Sequence, residues 1–288
     1  MDVHVTPASM RAWARHERQA GHRIAVVPTM GALHDGHLSL VRDARNHADR
    51  VVVTIFVNPL QFNQAADFDA YPTPIDADLA ACRTAGVDAV YAPTAATMYP
   101  PAFQTHVQPG ILAERLEGPV RPGHFSGVTT VVAKLFGATD PDVAVFGRKD
   151  FQQLAVVRRM VTDLDMGIEV IGVPIVREPD GLARSSRNVR LTPDDRAASV
   201  VLSRALAAGA DAIAGGERSA AVVREVVAAA IMAEPRASLE YVDVVDPDTL
   251  ERVEHAAGRL AIVLAAWFGE VRLIDNMMVG ELVVGDDD

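Results

Sequence analysis

The feature that most constrains the fold is a regular alternation of short apolar runs with amphipathic stretches over the first 175 residues. Runs at 24–27, 51–57, 87–91, 142–146 and 168–173 have the length and aliphatic content of buried strands. Between them, 36–48, 75–85, 126–137 and 150–163 place apolar residues at helical spacing. Apolar strands separated by amphipathic helices predict an α/β domain: a parallel sheet with helices on both faces. Ligands of such sheets bind beyond the carboxyl ends of the strands.

The pattern changes near residue 175. A polar, charged loop runs from Arg177 to Arg190, and Thr192-Pro193 then reads as a helix start, with Thr as N-cap and Pro in the first turn. Alanine-rich helices are expected over 193–213 and 218–233, and strands over 239–245, 259–266 and 270–275. This predicts two domains, 1–175 and 176–288, the second a smaller α+β domain with an antiparallel sheet. The net charge of −11 argues against nucleic acid or an anionic membrane as partner. Part of it lies in the tail Asp286-Asp287-Asp288, expected to be solvated and mobile. Cys82 is the only cysteine, so an internal disulfide is impossible, and its helical, alanine-rich setting predicts a packing role. No membrane span or signal-peptide pattern is expected, which points to a soluble cytoplasmic protein.

Several polar motifs fall at the ends of predicted strands. After the run 24–27 comes Pro28-Thr29-Met30-Gly31-Ala32-Leu33-His34-Asp35-Gly36-His37, which places two histidines and two glycines in a strand-to-helix turn. Backbone N–H groups and the positive end of a helix dipole receive phosphate at such turns, and imidazole donates to phosphoryl oxygens. Half of a metal site is the competing reading of His34 and His37, although no thiolate cluster is available to complete it. Asn58 and Gln61, in Phe56-Val57-Asn58-Pro59-Leu60-Gln61-Phe62, bring amides to the end of the second strand, suited to a small polar substrate; an ordinary Asn-Pro turn is the bland reading.

In Arg121-Pro122-Gly123-His124-Phe125-Ser126, Ser126 reads as an N-cap, and Arg121 and His124 as a supporting wall within reach of a ligand. In Gly147-Arg148-Lys149-Asp150-Phe151-Gln152-Gln153, Lys149 places a cation at a helix N-terminus, a conflict that a bound anion relieves; Gln153 lies one turn further on. Arg184-Ser185-Ser186-Arg187-Asn188 offers hydroxyls and guanidinium groups for a polyphosphate, on a loop expected to be flexible enough to close over a site.

Taken together, in order and spacing, these five segments resemble the pantothenate synthetases (pantoate–β-alanine ligases). The likeness runs from about residue 20 to 195 and continues more weakly to Arg272-Leu273-Ile274-Asp275-Asn276. It also implies the HIGH-type nucleotidyltransferase superfamily, here with His34-Asp35-Gly36-His37, and a Rossmann-like doubly wound sheet. The implied reaction activates pantoate with ATP to pantoyl adenylate and then transfers the acyl group to β-alanine.

By that resemblance Met30 to His37 contact ATP, His37 is the proton donor and His34 assists. Gly147, Arg148, Lys149, Asp150, Val176, Arg184, Ser185, Ser186 and Arg187 complete the ATP site, with Lys149 catalytic. Gln61 serves pantoate and β-alanine, and Gln153 serves pantoate. Mg²⁺ accompanies the phosphates, held more by ATP and water than by protein, so no metal ligands are assigned. A homodimer is implied as well. Two residues depart from the family pattern: Arg148 stands at a usual glutamate and Arg184 at a usual apolar residue, and both add positive charge expected to tighten ATP or pyrophosphate binding. Two other functions compete: a nucleotidyltransferase that keeps the nucleotide in its product, and a non-catalytic nucleotide-binding module.

Overall fold

A computed structural model describes residues 1–63 and 68–280. The acidic tail 286–288 lies outside the described residues. The chain forms two compact units, Met1–Val176 and Arg177–Asp288.

The first unit holds six strands: β1 (Asp2–His4), β2 (Ile24–Thr29), β3 (Arg50–Ile55), β4 (Ala89–Tyr91), β5 (Val143–Gly147) and β6 (Glu169–Val173). Their order across the sheet is β1-β4-β3-β2-β5-β6, and every pair is parallel. Its main helices are α1 (Pro7–Gln19), α2 (Asp35–Ala44), α3 (Ile75–Thr84), α4 (His124–Thr139) and α5 (Phe151–Asp163). Alternate strand residues feed opposite layers, as the two-residue period of a strand requires. Ile24 and Val26 join a core with residues of α1, α4 and α5, whereas Ala25 and Val27 join one with Leu40, Val41 and Ala44 of α2 and Cys82 of α3. Cys82 is fully buried, as its alanine-rich setting predicts.

The order of strands reverses between β2 and β5. From β2 the chain moves outward through β3 to β4, then returns to β5 on the other side of β2. A crevice forms at the carboxyl ends where such a reversal occurs. The turns leaving β2 and β5 carry the histidine motif and Lys149, so topology alone brings together two segments more than 100 residues apart.

The second unit is a three-stranded antiparallel sheet, β7 (Ala237–Val245), β8 (Leu260–Phe268) and β9 (Val271–Val279), with β8 central. Three helices precede it: α6 (Pro193–Ala198), α7 (Val201–Ala214) and α8 (Ala220–Met232). Leu202, Leu206, Val223, Val227 and Ile231 of the helices share a core with Ile262, Leu264 and Phe268 of β8. Thr192 caps α6 through a bond from Asp195 N–H, with Pro193 in the first turn.

Several expectations are corrected. The first 20 residues, which carry no strong pattern, supply β1 and α1; Thr6 caps α1 ahead of Pro7. Ser126 is not a cap, because α4 begins two residues earlier, after Gly123. The polar stretch after 176 is not an open loop: Arg177 bridges Ala183 in a hairpin, and Ser186–Arg190 is a 3₁₀ turn. Pro193–Ala214 is long and apolar enough to cross a membrane by length and composition alone. Leu202, Ala205, Leu206, Gly209 and Ile213 are nevertheless buried in the second unit, which marks α7 as a core helix.

One glycine determines how closely α4 approaches the end of β3. A Cβ at Gly127 would land inside van der Waals contact of the Leu60 carbonyl oxygen and the Gln61 nitrogen. Gly127→Ala is expected to cost about 1–3 kcal/mol through overpacking and to displace the Pro59–Gln61 turn. Urea unfolding with parallel activity assays checks this; an unchanged midpoint with unchanged activity would show that the turn tolerates the displacement.

Candidate active site

The turn after β2 is built by hydrogen bonds that use its own backbone donors. Thr29 Oγ1 donates to the Thr54 carbonyl on β3 (2.6 Å) and accepts from Gly31 N–H (3.1 Å). Gly31 and Ala32 both have positive φ, +82° and +50°. A side chain at Gly31 is excluded by space as well as by backbone conformation, since its Cβ would meet Asp78 Oδ2 at 2.9 Å. Asp78, buried on α3, accepts from Ala32 N–H through Oδ2 and from Leu33 N–H through Oδ1, both at 2.8 Å.

Two histidines then form a capping box at the start of α2. His34 Nδ1 accepts from Gly36 N–H (3.1 Å), and His37 Nδ1 accepts from His34 N–H (3.3 Å). A ring nitrogen that accepts carries no proton, so each imidazole in its neutral form holds its proton on Nε2. The rings lie 4.1 Å apart between centroids. Burial chiefly, with the neighbouring His34 and Lys149, pushes the His37 pKa down to about 3. His37 is therefore a neutral N–H donor at physiological pH rather than an imidazolium, and Lys149 lies close enough to act on it electrostatically.

Several backbone donors of the expected phosphate cradle have partners inside the protein. The N–H groups of Gly31, Ala32, Leu33, His34 and Gly36 are all engaged within the turn. The side chains beside them are the two imidazoles and the half-buried Lys149. Asp35 starts α2 and is exposed, as is Asp150 at the N-cap of α5.

Met30 connects this turn to the amide cluster, because Gln61 Nε2 donates to Met30 Sδ (2.8 Å). Asn58 Nδ2 donates to Gln61 Oε1 (3.2 Å) and the Gly127 carbonyl (3.0 Å), while Asn58 Oδ1 accepts from Leu60 N–H and Tyr99 O–H. Both ends of the Asn58 amide are thus spent inside the protein, and its side chain holds Gln61 instead of offering itself to a substrate. His124 is also turned inward: its Nδ1 lies 2.8 Å from the Gln61 carbonyl, an acceptor, so Nδ1 carries the proton. Arg121 Nη2 donates to the same carbonyl (3.3 Å).

At the end of β5, Gly147 and Arg148 precede Lys149. Arg148 N–H donates to the Val173 carbonyl and its Nε to the Gly172 carbonyl (2.9 Å), so its side chain leans along β6. Of the paired glutamines, Gln152 is buried and pins the 112–117 segment through Leu112, Arg115 and Glu117, while Gln153 is half-buried. Val176 closes the first unit.

In the second unit Arg184 pairs with Glu178 (3.2 Å), Ser185 Oγ accepts from Arg187 N–H, and Asn188 Nδ2 donates to the Ala183 carbonyl. Ser186 begins the 3₁₀ turn that contains Arg187. The hairpin before them is anchored by Arg177, which makes a bidentate pair with buried Asp275 (2.7 and 3.0 Å). Sequence reasoning missed Asp78 and Tyr99, and named Asp275 only within a weakly resembling segment. Asp78 resembled an ordinary acid in the first turn of a helix, and nothing local reveals the partners of the others.

A doubly wound parallel sheet whose switch point gathers two N–H-donating imidazoles, an ammonium and a held amide defines an α/β enzyme that handles an anionic substrate. Comparisons narrow the class. The family model described as pantoate-beta-alanine ligase matches residues 2–278. Pantothenate synthetase of Heliobacterium modesticaldum is 54% identical over 270 residues, covering 94% of this chain and 96% of that protein. The Geobacter sulfurreducens enzyme of the same name is 50% identical, covering 95% and 97%. Among solved structures, pantothenate synthetase from Thermus thermophilus superposes with a TM-score of 0.92 at 45% identity, covering 96% of this chain and 99% of that one. Pantoate-beta-alanine ligase from Francisella tularensis, complexed with beta-gamma ATP and beta-alanine, gives 0.79 at 32% identity, covering 98% of each. The chain belongs to the pantoate–β-alanine ligase family and is a ligase that forms a carbon–nitrogen bond.

Burial also pushes the His124 pKa down to about 4, with the Arg121 charge adding to the effect. An unfolded histidine titrates near 6.5, so between pH 6.5 and 4 the unfolded chain binds the extra proton. The stability contribution is complete above 6.5 and declines as pH falls towards 4. His124→Asn keeps an N–H donor near Nδ1 without the titration, and its urea midpoint should fall less across that window than the parent's. Parallel declines would remove His124 from the acid response.

Proposed function

We propose that this chain condenses pantoate with β-alanine at the expense of ATP, through pantoyl adenylate. A pantoate carboxylate oxygen attacks the α-phosphorus, and the bond to the bridging oxygen breaks to release pyrophosphate. The β-alanine amine then attacks the acyl carbon and loses a proton, and the acyl–oxygen bond breaks to release AMP. The first step concentrates negative charge on the α-phosphate and the departing pyrophosphate, so oriented donors and cations carry the catalysis.

In this reading His37, His34 and Lys149 are the catalytic residues. The imidazoles donate through Nε2–H, and Lys149 supplies charge. Met30, Gly31, Ala32, Leu33, Asp35 and Gly36 form the wall of the nucleotide site, with Gly147, Arg148, Asp150 and Val176. Arg184, Ser185, Ser186 and Arg187 are assigned to ATP on the family resemblance. Gln61 takes pantoate and β-alanine, and Gln153 takes pantoate. Asn58 and His124 act by holding Gln61. What carries the reading is the pinning of both imidazoles through Nδ1 beside Lys149, which creates a fixed set of donors where two strands diverge.

Mg²⁺ fits this site as a companion of the nucleotide. Among the described residues no group of three or more His, Cys, Asp or Glu side chains is arranged to hold a metal, and Asp78 spends both oxygens on backbone N–H groups. Phosphate oxygens and water would complete its shell, and its charge would offset that of the triphosphate. A homodimer in the cytoplasm, without nucleic-acid or membrane partners, completes the proposal; sedimentation of the purified protein tests the dimer.

Pantoate-dependent exchange of pyrophosphate into ATP isolates the first step. His37→Asn keeps an acceptor near Nδ1 for the helix cap and deletes the Nε2 donor; Lys149→Ala deletes the charge. Each is expected to slow exchange by about 10²–10³ with little change in thermal stability. A rate within a few-fold of the parent's for either variant would remove that residue from catalysis, and exchange without pantoate would refute the substrate assignment.

A further inference from the structure

The polarity of the Gln61 amide is decided by groups in its own turn and on two other segments. Leu60 N–H is a donor and the Gly127 carbonyl an acceptor, and neither can exchange roles. Between them they allow Asn58 one orientation, Oδ1 towards Leu60 and Nδ2 towards Gly127. The same Oδ1 faces the Tyr99 hydroxyl at 2.8 Å, so Tyr99 must donate. Burial pushes the Tyr99 pKa upward, which keeps the proton in place. Asn58 Nδ2 in turn faces Gln61, so Gln61 presents its oxygen to Asn58 and turns its NH₂ towards Met30. The thioether is a weak acceptor, and a substrate oxygen that took its place would gain a stronger bond.

We infer that Tyr99 is a positioning residue for the acid substrate: its hydroxyl gives Asn58 Oδ1 a second donor and holds in place the amide that turns the Gln61 NH₂ towards Met30, so that Gln61 meets substrate oxygen as a donor. Tyr99 is well placed for this task. It follows the short helix Ala95–Met98, its ring packs 5.0 Å from Phe103 and 6.1 Å from Phe56 between centroids, and it has no part in the histidine turn. Those ring contacts survive removal of the hydroxyl, so Tyr99→Phe isolates the hydrogen bond. The inference rests on the assignment of Gln61 to pantoate made above.

The experiment is a double-mutant cycle of Tyr99→Phe and Gln61→Ala, with KM for pantoate and for ATP measured on purified full-length protein and thermal unfolding followed in parallel. Tyr99→Phe is expected to raise the pantoate KM by roughly three- to tenfold, the worth of one buried hydrogen bond, with the ATP KM unchanged. In the Gln61→Ala background the same change should have almost no further effect, because its route to the substrate is gone. Equal rises in both KM values, an unchanged pantoate KM, or an additive effect in the double variant would each overturn the role of Tyr99. If Gln61→Ala alone leaves the pantoate KM unchanged, the assignment of Gln61 fails instead, and the relay fails with it.

Discussion

The site depends on one buried carboxylate. Asp78 receives two consecutive N–H groups from a turn in which Gly31 and Ala32 both hold positive φ. For a non-glycine residue such as Ala32 that backbone is strained, and it persists only where surrounding bonds over-determine it. Once the turn is clasped, His34 falls at the N-cap of α2 and His37 one turn later, and the N–H groups of Gly36 and His34, donated to their Nδ1 atoms, fix both tautomers. The clasp also takes up the N–H groups of Ala32 and Leu33, just ahead of the helix.

Much of this was legible beforehand because it follows from local pattern. The strands β2 to β6 and helices α2 to α5 appear where aliphatic runs and helical spacing place them, with shifts of a few residues at their ends. The motifs at the ends of β2, β3 and β5 were found for the same reason. What escaped depends on contacts distant in sequence. Asp78 and the turn it clasps are 45 residues apart, and Tyr99 and Asn58 are 41 apart. Asn58 looked like a ligand contact because an amide at a strand end has that chemistry; only coordinates reveal that all four of its hydrogen bonds are already made. Ser126 looked like a cap because serine commonly is one, yet it lies inside a helix that begins at His124.

The second unit shows the same separation of local from distant. Its helices and strands follow from alanine-rich and β-branched runs. The segment between Arg177 and Arg190 reads as a flexible loop from its polarity, yet many of its polar groups are paired. The Arg177–Asp275 pair ties the hairpin to β9, Asp180 pairs with Arg196 on α6, and Gly181 turns the hairpin at φ +99°. Arg177, at the start of that loop, and Asp275, in the C-terminal segment of the resemblance, are thus the two halves of one ion pair.

Cys82 sits one helical turn after Asp78 on α3, is fully buried, and has a thiol pKa pushed up to about 11 by burial and by the Asp78 charge. Electrophiles react with thiolate, so the folded molecule shields its only sulfhydryl both sterically and electrostatically. Alkylation by iodoacetamide therefore requires Cys82 to be exposed by an opening of α3, the very element that supplies the clasp. A residue with no place in the chemistry thus serves as a native clock for the integrity of the helix on which the chemistry relies.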